Sequence, residues 1–284
     1  MRPRPPAILD RFRSRLLART QRKFALVTER KRVGPIEVDF TRVADPDAVL
    51  DAICEEETQR SKDPTKTYRE PLRMPYWAAV WESATAVGQH LAKRPHLLRG
   101  DVLDLGCGMG LAGELALALN ASARVWLADI DRDALLLARL NTLPWIDRSD
   151  VLRVDWSVDQ LVMRGRSVVP LPAREVARHE PTTRSTNPAA PHLTSPSTAG
   201  EPTHCFDFII GSDVLYERPQ WDNIEAFLRQ HLARGGTVLL GEPNRPKADE
   251  FPEWITARGW GSERFVETVE GREAPLRLFE LTRD

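Results

Sequence analysis

Apolar residues recur along this chain with two different periods. Ile8, Phe12, Leu16 and Leu17 fall on a helical repeat, so residues 7–22 predict an amphipathic helix with a basic polar face. Residues 24–29 and 36–43 alternate as half-buried strands do, and Gly34-Pro35 between them predicts a hairpin. Residues 46–59 predict a helix and 60–73 an exposed polar loop. Trp77, Val80, Trp81, Ala84, Val87 and Leu91 line one face of a further predicted helix.

From Asp101 onward short apolar runs alternate with helical segments. VLDLG, VWLAD, VLRVD, FDFII and GTVLLGEP read as strands. Leu111–Leu119, Ala134–Leu140 and the repeat Trp221, Ile224, Phe227, Leu228, Leu232 read as helices. That alternation is what βαβ units and a parallel sheet produce. Residues 263–269 and 275–282 predict a terminal antiparallel pair. One stretch breaks the pattern. Residues 165–203, rich in Pro, Ser, Thr and Arg, carry too little apolar surface to offset ordering entropy and predict a disordered insertion. The chain therefore divides into an N-terminal extension, 1–72, and a main α/β domain, 73–284.

Composition narrows the class. With 284 residues there is room for one large α/β domain and an extension. No apolar run approaches the ~18 residues that cross a bilayer, so no membrane association is expected. The basic start lacks an apolar signal core. A net charge of −1 gives no global pull toward nucleic acid. Cys54, Cys107 and Cys205 are far apart and odd in number, which argues against a disulfide framework and suits the cytoplasm. The six histidines show no metal-ligand spacing, so no metal is expected.

The sharpest chemical signal is D-x-G-x-G-x-G at Asp104, Gly106, Gly108 and Gly110, between a predicted strand and a predicted helix. Glycines let backbone approach a ligand closely. A dinucleotide fold would need glycine at 111, where Leu111 stands. An acid before the turn would repel a pyrophosphate but suits an ammonium, such as the methionine end of S-adenosylmethionine. Asp129 ends the next strand, 25 residues beyond Asp104. It is placed to accept ribose hydroxyls, with Ile130 against a purine, while Asp131 or Asp133 caps the following helix. Asp155-Trp156 follows the third strand, where a carboxylate meets an adenine amine and an indole stacks. Ser212, Asp213 and Tyr216 follow the fourth. All four signals lie at carboxyl ends of strands, where open α/β sheets bind ligands.

Taken together, DLGCGMG, ADID, VDWS and SDVLYE resemble the class I S-adenosylmethionine-dependent methyltransferases. Within that class the chain is similar to the protein-lysine methyltransferases that include the enzyme for the electron-transfer flavoprotein β subunit. Pro75–Ser83 matches the element P-[FY]-W-x-x-x-W-P-[SG], with Glu82 in place of proline. Asp213–Tyr216 matches D-x-x-[YF], and Gly241–Pro246 resembles G-D-P-x-R-P. The resemblance covers roughly residues 72–284 without the insertion.

It implies a Rossmann-like, seven-stranded, mostly parallel sheet of order 3-2-1-4-5-7-6 with helices on both faces. It implies S-adenosylmethionine as cofactor, held by Trp81, Asp104, Gly106, Gly108, Gly110, Asp129, Ile130, Asp155, Trp156 and Ser212. Asp213 and Tyr216 are implied to line the acceptor channel. Core packing is an equal reading of Tyr216 and a strong one of Trp81; Arg245 fits either the acceptor cleft or a surface ion pair. The implied acceptor is a protein lysine. A small-molecule amine or hydroxyl, or a silent cofactor-binding scaffold, stands as the alternative. The missing [DN]-P-P-[YF] motif argues against nucleic acid.

Overall fold

A computed structural model describes residues 7–61, 73–164, 167–172 and 203–283. Seven strands make the central sheet: β3 (Asp101–Leu105), β4 (Arg124–Asp129), β5 (Ser149–Arg153), β8 (Phe206–Ser212), β9 (Leu232–Glu242), β10 (Gly261–Glu267) and β11 (Leu276–Thr282). Their spatial order is β5-β4-β3-β8-β9-β11-β10. Counted along the domain, this is 3-2-1-4-5-7-6. The first five run parallel, and β11 is antiparallel to both β9 and β10.

Alternation along the strands divides the core. Leu103 and Leu105 face one layer, with Trp221, Ile224, Phe227 and Leu228 of α6 (Trp221–His231) and Phe251 and Ile255 of α7 (Phe251–Thr256). Val102, Val125 and Leu127 face the other. There Ala86, Val87 and Leu91 of α3 (Glu82–Lys93), Ala112 and Ala116 of α4 (Leu111–Leu119) and Ala138 of α5 (Arg132–Thr142) cover them. A sheet buried on both faces needs near-continuous apolar strands, as these are.

The extension is packed onto this frame. Helix α1 (Ala7–Gln21) leads into a hairpin of β1 (Leu26–Val33) and β2 (Ile36–Val43), followed by α2 (Pro46–Ser61). Val33, Val38, Phe40 and Val43 share a core with Leu111, Leu115, Leu137 and Leu140. Asn141 of α5 pins the arrangement. Its Oδ1 accepts from Thr41 N at 2.8 Å, and its Nδ2 donates to Thr41 O and Met109 O at 2.9 Å each.

Two expectations change. The helix read from Trp77 begins only at Glu82. Tyr76–Ala78 form a single 3₁₀ turn, and Ala79 and Trp81 are extended (ψ 150° and 134°). The Trp81 indole N–H donates to Tyr76 O at 2.8 Å, stabilising this non-helical turn. The insertion expected at 165–203 opens with an ordered strand. β7 (Ser167–Pro172) pairs antiparallel with β6 (Asp159–Arg164), and Thr203 bridges to Val162. The short apolar run Val168-Val169 was the available signal for β7; the flanking proline-rich composition masked it. Most of that insertion, and of the loop read at 60–73, lies outside the described residues. No helix among the described residues is long and apolar enough to cross a membrane.

Candidate functional site

At the carboxyl ends of β3, β4 and β8 lies a cavity of about 430 Å³. Gly106, Gly108, Asp129, Ile130, Trp156, Ser212, Asp213, Tyr216 and Trp81 line it, so most of the residues singled out from sequence meet there. The sequence reading missed Tyr76, Trp77, Phe40 and Lys23 on the same wall. Phe40 and Lys23 come from the extension, which has no motif to announce them.

The turn after β3 shows what its glycines do. Gly106, Gly108 and Gly110 have φ of +67°, +52° and +86°, the region L side chains avoid. They differ in what surrounds them. A Cβ on Gly110 would lie 2.9 Å from Leu127 and 3.1 Å from Ala138, so this glycine allows helix to pack on sheet. A Cβ on Gly108 would meet nothing closer than 3.7 Å and would project into the space beside Trp77. Gly110 does not line the cavity; Gly106 and Gly108 do.

Asp129 organises the near wall. Its Oδ2 accepts from Gly108 N at 2.9 Å and its Oδ1 from Asp131 N at 2.8 Å. Asp131 caps α5, accepting from Asp133 N and Ala134 N. Burial pushes the Asp129 carboxyl up to about 6 against the pull of these N–H donors. Each carboxylate oxygen keeps a lone pair for a further donor.

Asp104 is fully buried and does not reach the cavity wall. Its side chain points beneath α4, where Oδ2 accepts from Gly113 N at 2.8 Å while Oδ1 has no partner. A Cβ on Gly113 would come within 2.9 Å of that carboxylate, so Gly113 belongs to the motif. Burial pushes the Asp104 carboxyl up to about 7, the single N–H donor opposing it.

Asp155 also stays off the wall. Its carboxylate closes a local turn, accepting from Ser157 N at 3.1 Å and Ser157 Oγ at 2.5 Å, with Arg73 at 3.6 Å. These donors occupy it where an adenine amine was expected. Trp156 does line the cavity, its indole N–H donating to Gln220 Oε1 at 3.3 Å.

The far wall is built differently. Asp213 sits at φ +62°, its N–H tied to Gly241 O at 2.8 Å. Asp213 Oδ1 accepts from the Arg245 guanidinium, and Oδ2 is buried without a partner. Burial raises its carboxyl and Arg245 opposes the rise. Tyr216 packs at 5.2 Å from Tyr76, ring centre to ring centre. Burial, then neighbouring acidic groups, pushes its phenol up to about 12. The Ser212 hydroxyl is likewise buried and unpartnered.

A buried pair fixes the loop that carries Arg245. Glu242 and Arg277 stand opposite each other on β9 and β11 and bond at 2.6 and 2.9 Å. Glu242 also accepts from Asn244 N at 2.8 Å and Arg245 N at 2.6 Å, and Arg277 donates to Arg245 O at 2.7 Å. Glu82, the departure from the family's proline, pairs with Arg272 at 3.2 Å, and Arg272 donates to Pro243 O at 2.7 Å.

Against known families, residues 76–268 match the model described as a methyltransferase domain. The match covers well over half of the chain. This chain belongs to that family. It is an S-adenosylmethionine-dependent methyltransferase domain. It is 26% identical over 184 residues to the electron transfer flavoprotein beta subunit lysine methyltransferase of Xenopus laevis. That match takes in 64% of this chain and 58% of the relative. The Mus musculus protein of the same description is 25% identical over 62% of this chain and 54% of its own length. The chain thus spans a little over half the length of these relatives. Among solved structures, the glycopeptide N-methyltransferase MtfA with sinefungin aligns at a TM-score of 0.49, with 14% identity over 76% of this chain and 100% of that one.

The residues present fit the cofactor. The wall offers glycine backbone without Cβ atoms, an acid with lone pairs to spare, and an unpartnered buried hydroxyl on Ser212.

Proposed function

We propose that this chain methylates a protein lysine side chain by direct in-line transfer, working in the cytoplasm. The observation that carries the reading is the unpartnered, buried Asp213 Oδ2, on a residue that lines the cavity together with Tyr216 and Asp129. The names of the relatives in frog and mouse support lysine as the acceptor.

Bound S-adenosylmethionine supplies an electrophilic methyl carbon on a cationic sulfur. Gly106 and Gly108 would admit its methionine end close to the backbone. Asp129 would take the ribose hydroxyls, and Ile130 and Trp156 would flank the adenine. Asp104 works from beneath the turn: its charge favours a cationic ligand above, and its bond to Gly113 fixes the start of α4.

On the other wall Asp213 Oδ2 accepts an N–H of the acceptor amine and points its lone pair inward. A lysine ammonium has to lose a proton before it attacks. Tyr216, with its phenol pushed up to about 12, stays protonated at neutral pH. It therefore serves as an aromatic wall and hydrogen-bond donor. Tyr76, Trp81 and Tyr216 line the same cavity, and their ring faces favour the cationic sulfonium by about 0.5–2 kcal/mol. Holding both reactants in line, with water excluded, is the main catalytic contribution required.

The test is methyl transfer from tritiated S-adenosylmethionine to purified electron transfer flavoprotein β subunit and to a cell extract. Protease-sensitive label recovered on lysine supports the reading. Label that survives protease and passes a small-pore filter would replace it with a small-molecule N- or O-methyltransferase.

A further inference from the structure

Arginine beside the acceptor carboxylate is unexpected in a site meant for a cationic side chain. Arg245 holds Asp213 Oδ1, leaving Oδ2 as that carboxylate's single unpartnered oxygen. The pair is not an incidental surface contact. Asp213 is 8% exposed, and the Arg245 backbone is bonded at both N and O by Glu242 and Arg277, themselves buried. The Arg245 guanidinium carbon also lies 5.8 Å from the centre of the ring of Trp81, a lining residue, so Arg245 stands behind Asp213 and Trp81 rather than on the wall itself.

The remaining charges around Asp213 are accounted for. Glu242 is neutralised by Arg277, and Glu82 is paired with Arg272. Tyr216 is uncharged at neutral pH. Asp213 and Arg245 together therefore form a nearly neutral pair that keeps one unpartnered acceptor, Oδ2, on a residue of the cavity lining.

We propose that Arg245 is a specificity-determining residue. It offsets the charge of Asp213 so that the acceptor side binds an amine through a hydrogen bond and does not stabilise its ammonium form. The inference rests on the proposed division of the cavity into cofactor and acceptor walls. Its physical basis is simple. A bare buried carboxylate would hold a lysine as its ammonium ion, which has no lone pair for attack. An opposite charge within bonding distance shifts an amine by about one to three pKa units. A guanidinium on the same carboxylate cancels most of that.

The test needs no identified acceptor. Sinefungin carries a primary amine where the transferable methyl would be, and S-adenosylhomocysteine carries nothing there. Their dissociation constants are measured by calorimetry at pH 7 for the full chain, Arg245→Gln and Arg245→Lys. Arg245 is partly exposed, and the bonds that hold its loop are to its backbone, so the variants keep the fold. In Arg245→Gln the preference for sinefungin over S-adenosylhomocysteine should rise about tenfold, because the ammonium gains an unshared carboxylate. Arg245→Lys should keep the parent ratio. An unchanged ratio in Arg245→Gln overturns the inference while leaving the cofactor wall intact. Failure of S-adenosylhomocysteine to bind the parent chain overturns the underlying division of the cavity instead.

Discussion

The two walls of the cavity solve the same problem in opposite ways. On the near side, Asp129 at the wall and Asp104 beneath it are met by main-chain N–H groups, and burial raises both carboxyls. On the far side, Asp213 at the wall and Glu242 behind it are met by Arg245 and Arg277. Acids held only by amide dipoles remain available to a cationic ligand. Acids held by guanidinium are charge-balanced and act as fixed hydrogen-bond acceptors. The near wall suits a sulfonium cofactor and the far wall an amine that has to be neutral to react.

The largest effect that would break this comparison is on the far wall. Glu242→Ala leaves Arg277 buried beside Asp249 alone and should destabilise the protein by about 3–5 kcal/mol. Replacing both, with Glu242→Leu and Arg277→Met, should recover most of that. Chemical denaturation of the three variants checks it; equal loss in the double variant would mean the pair is not a unit. Next come the glycines. Gly110→Ala should lower stability by about 1–3 kcal/mol through overpacking against Leu127 and Ala138. Gly108→Ala should cost less stability but weaken the cofactor about tenfold or more, since its methyl enters the cavity. Calorimetry and thermal melts together separate the two effects.

The dependence on pH is the most diagnostic of the near wall. Asp104 and Asp129 have folded values of about 7 and about 6 against an ordinary 3.8. The folded chain therefore keeps protons that the unfolded chain releases. These groups reduce stability progressively as pH rises from about 4 to about 7, and the penalty is constant above that. A cationic ligand favours the ionised acids, so stabilisation by S-adenosylmethionine should grow across the same window. Melting temperatures from pH 5 to pH 8, with and without cofactor, measure both slopes. Asp104→Asn should flatten the slope of the free protein.

The same contrast decides what was legible from sequence. The near wall is local: one turn carries Asp104, Gly106 and Gly108, and Asp129 ends the adjacent strand. Strand ends and glycine spacing therefore pointed straight to it. Even there, Gly113 escaped, because its contact with Asp104 depends on which strand face lies beneath α4. Asp155 looked equivalent to Asp129 because both follow a strand, yet Ser157 two residues on captures its carboxylate. The far wall depends on pairs 32 and 35 residues apart, Asp213 with Arg245 and Glu242 with Arg277. One signal was available: Arg277 is a lone cation between Leu276, Leu278 and Phe279, and such a charge inside an apolar strand requires a buried partner. Asn141, Phe40 and Lys23 tie the extension to the cavity and follow no motif.

The most direct test compares the walls through one aspartate on each. Calorimetric titration of S-adenosylhomocysteine is run on the parent chain, Asp129→Ala and Asp213→Asn, with tritiated methyl transfer measured in parallel. The account predicts at least a hundredfold weaker binding for Asp129→Ala, from the loss of charged hydrogen bonds. Asp213→Asn should bind as the parent does and lose most of its transfer. Parent-like affinity in Asp129→Ala, or lost binding in Asp213→Asn, would contradict the assignment of one wall to the cofactor and the other to the acceptor.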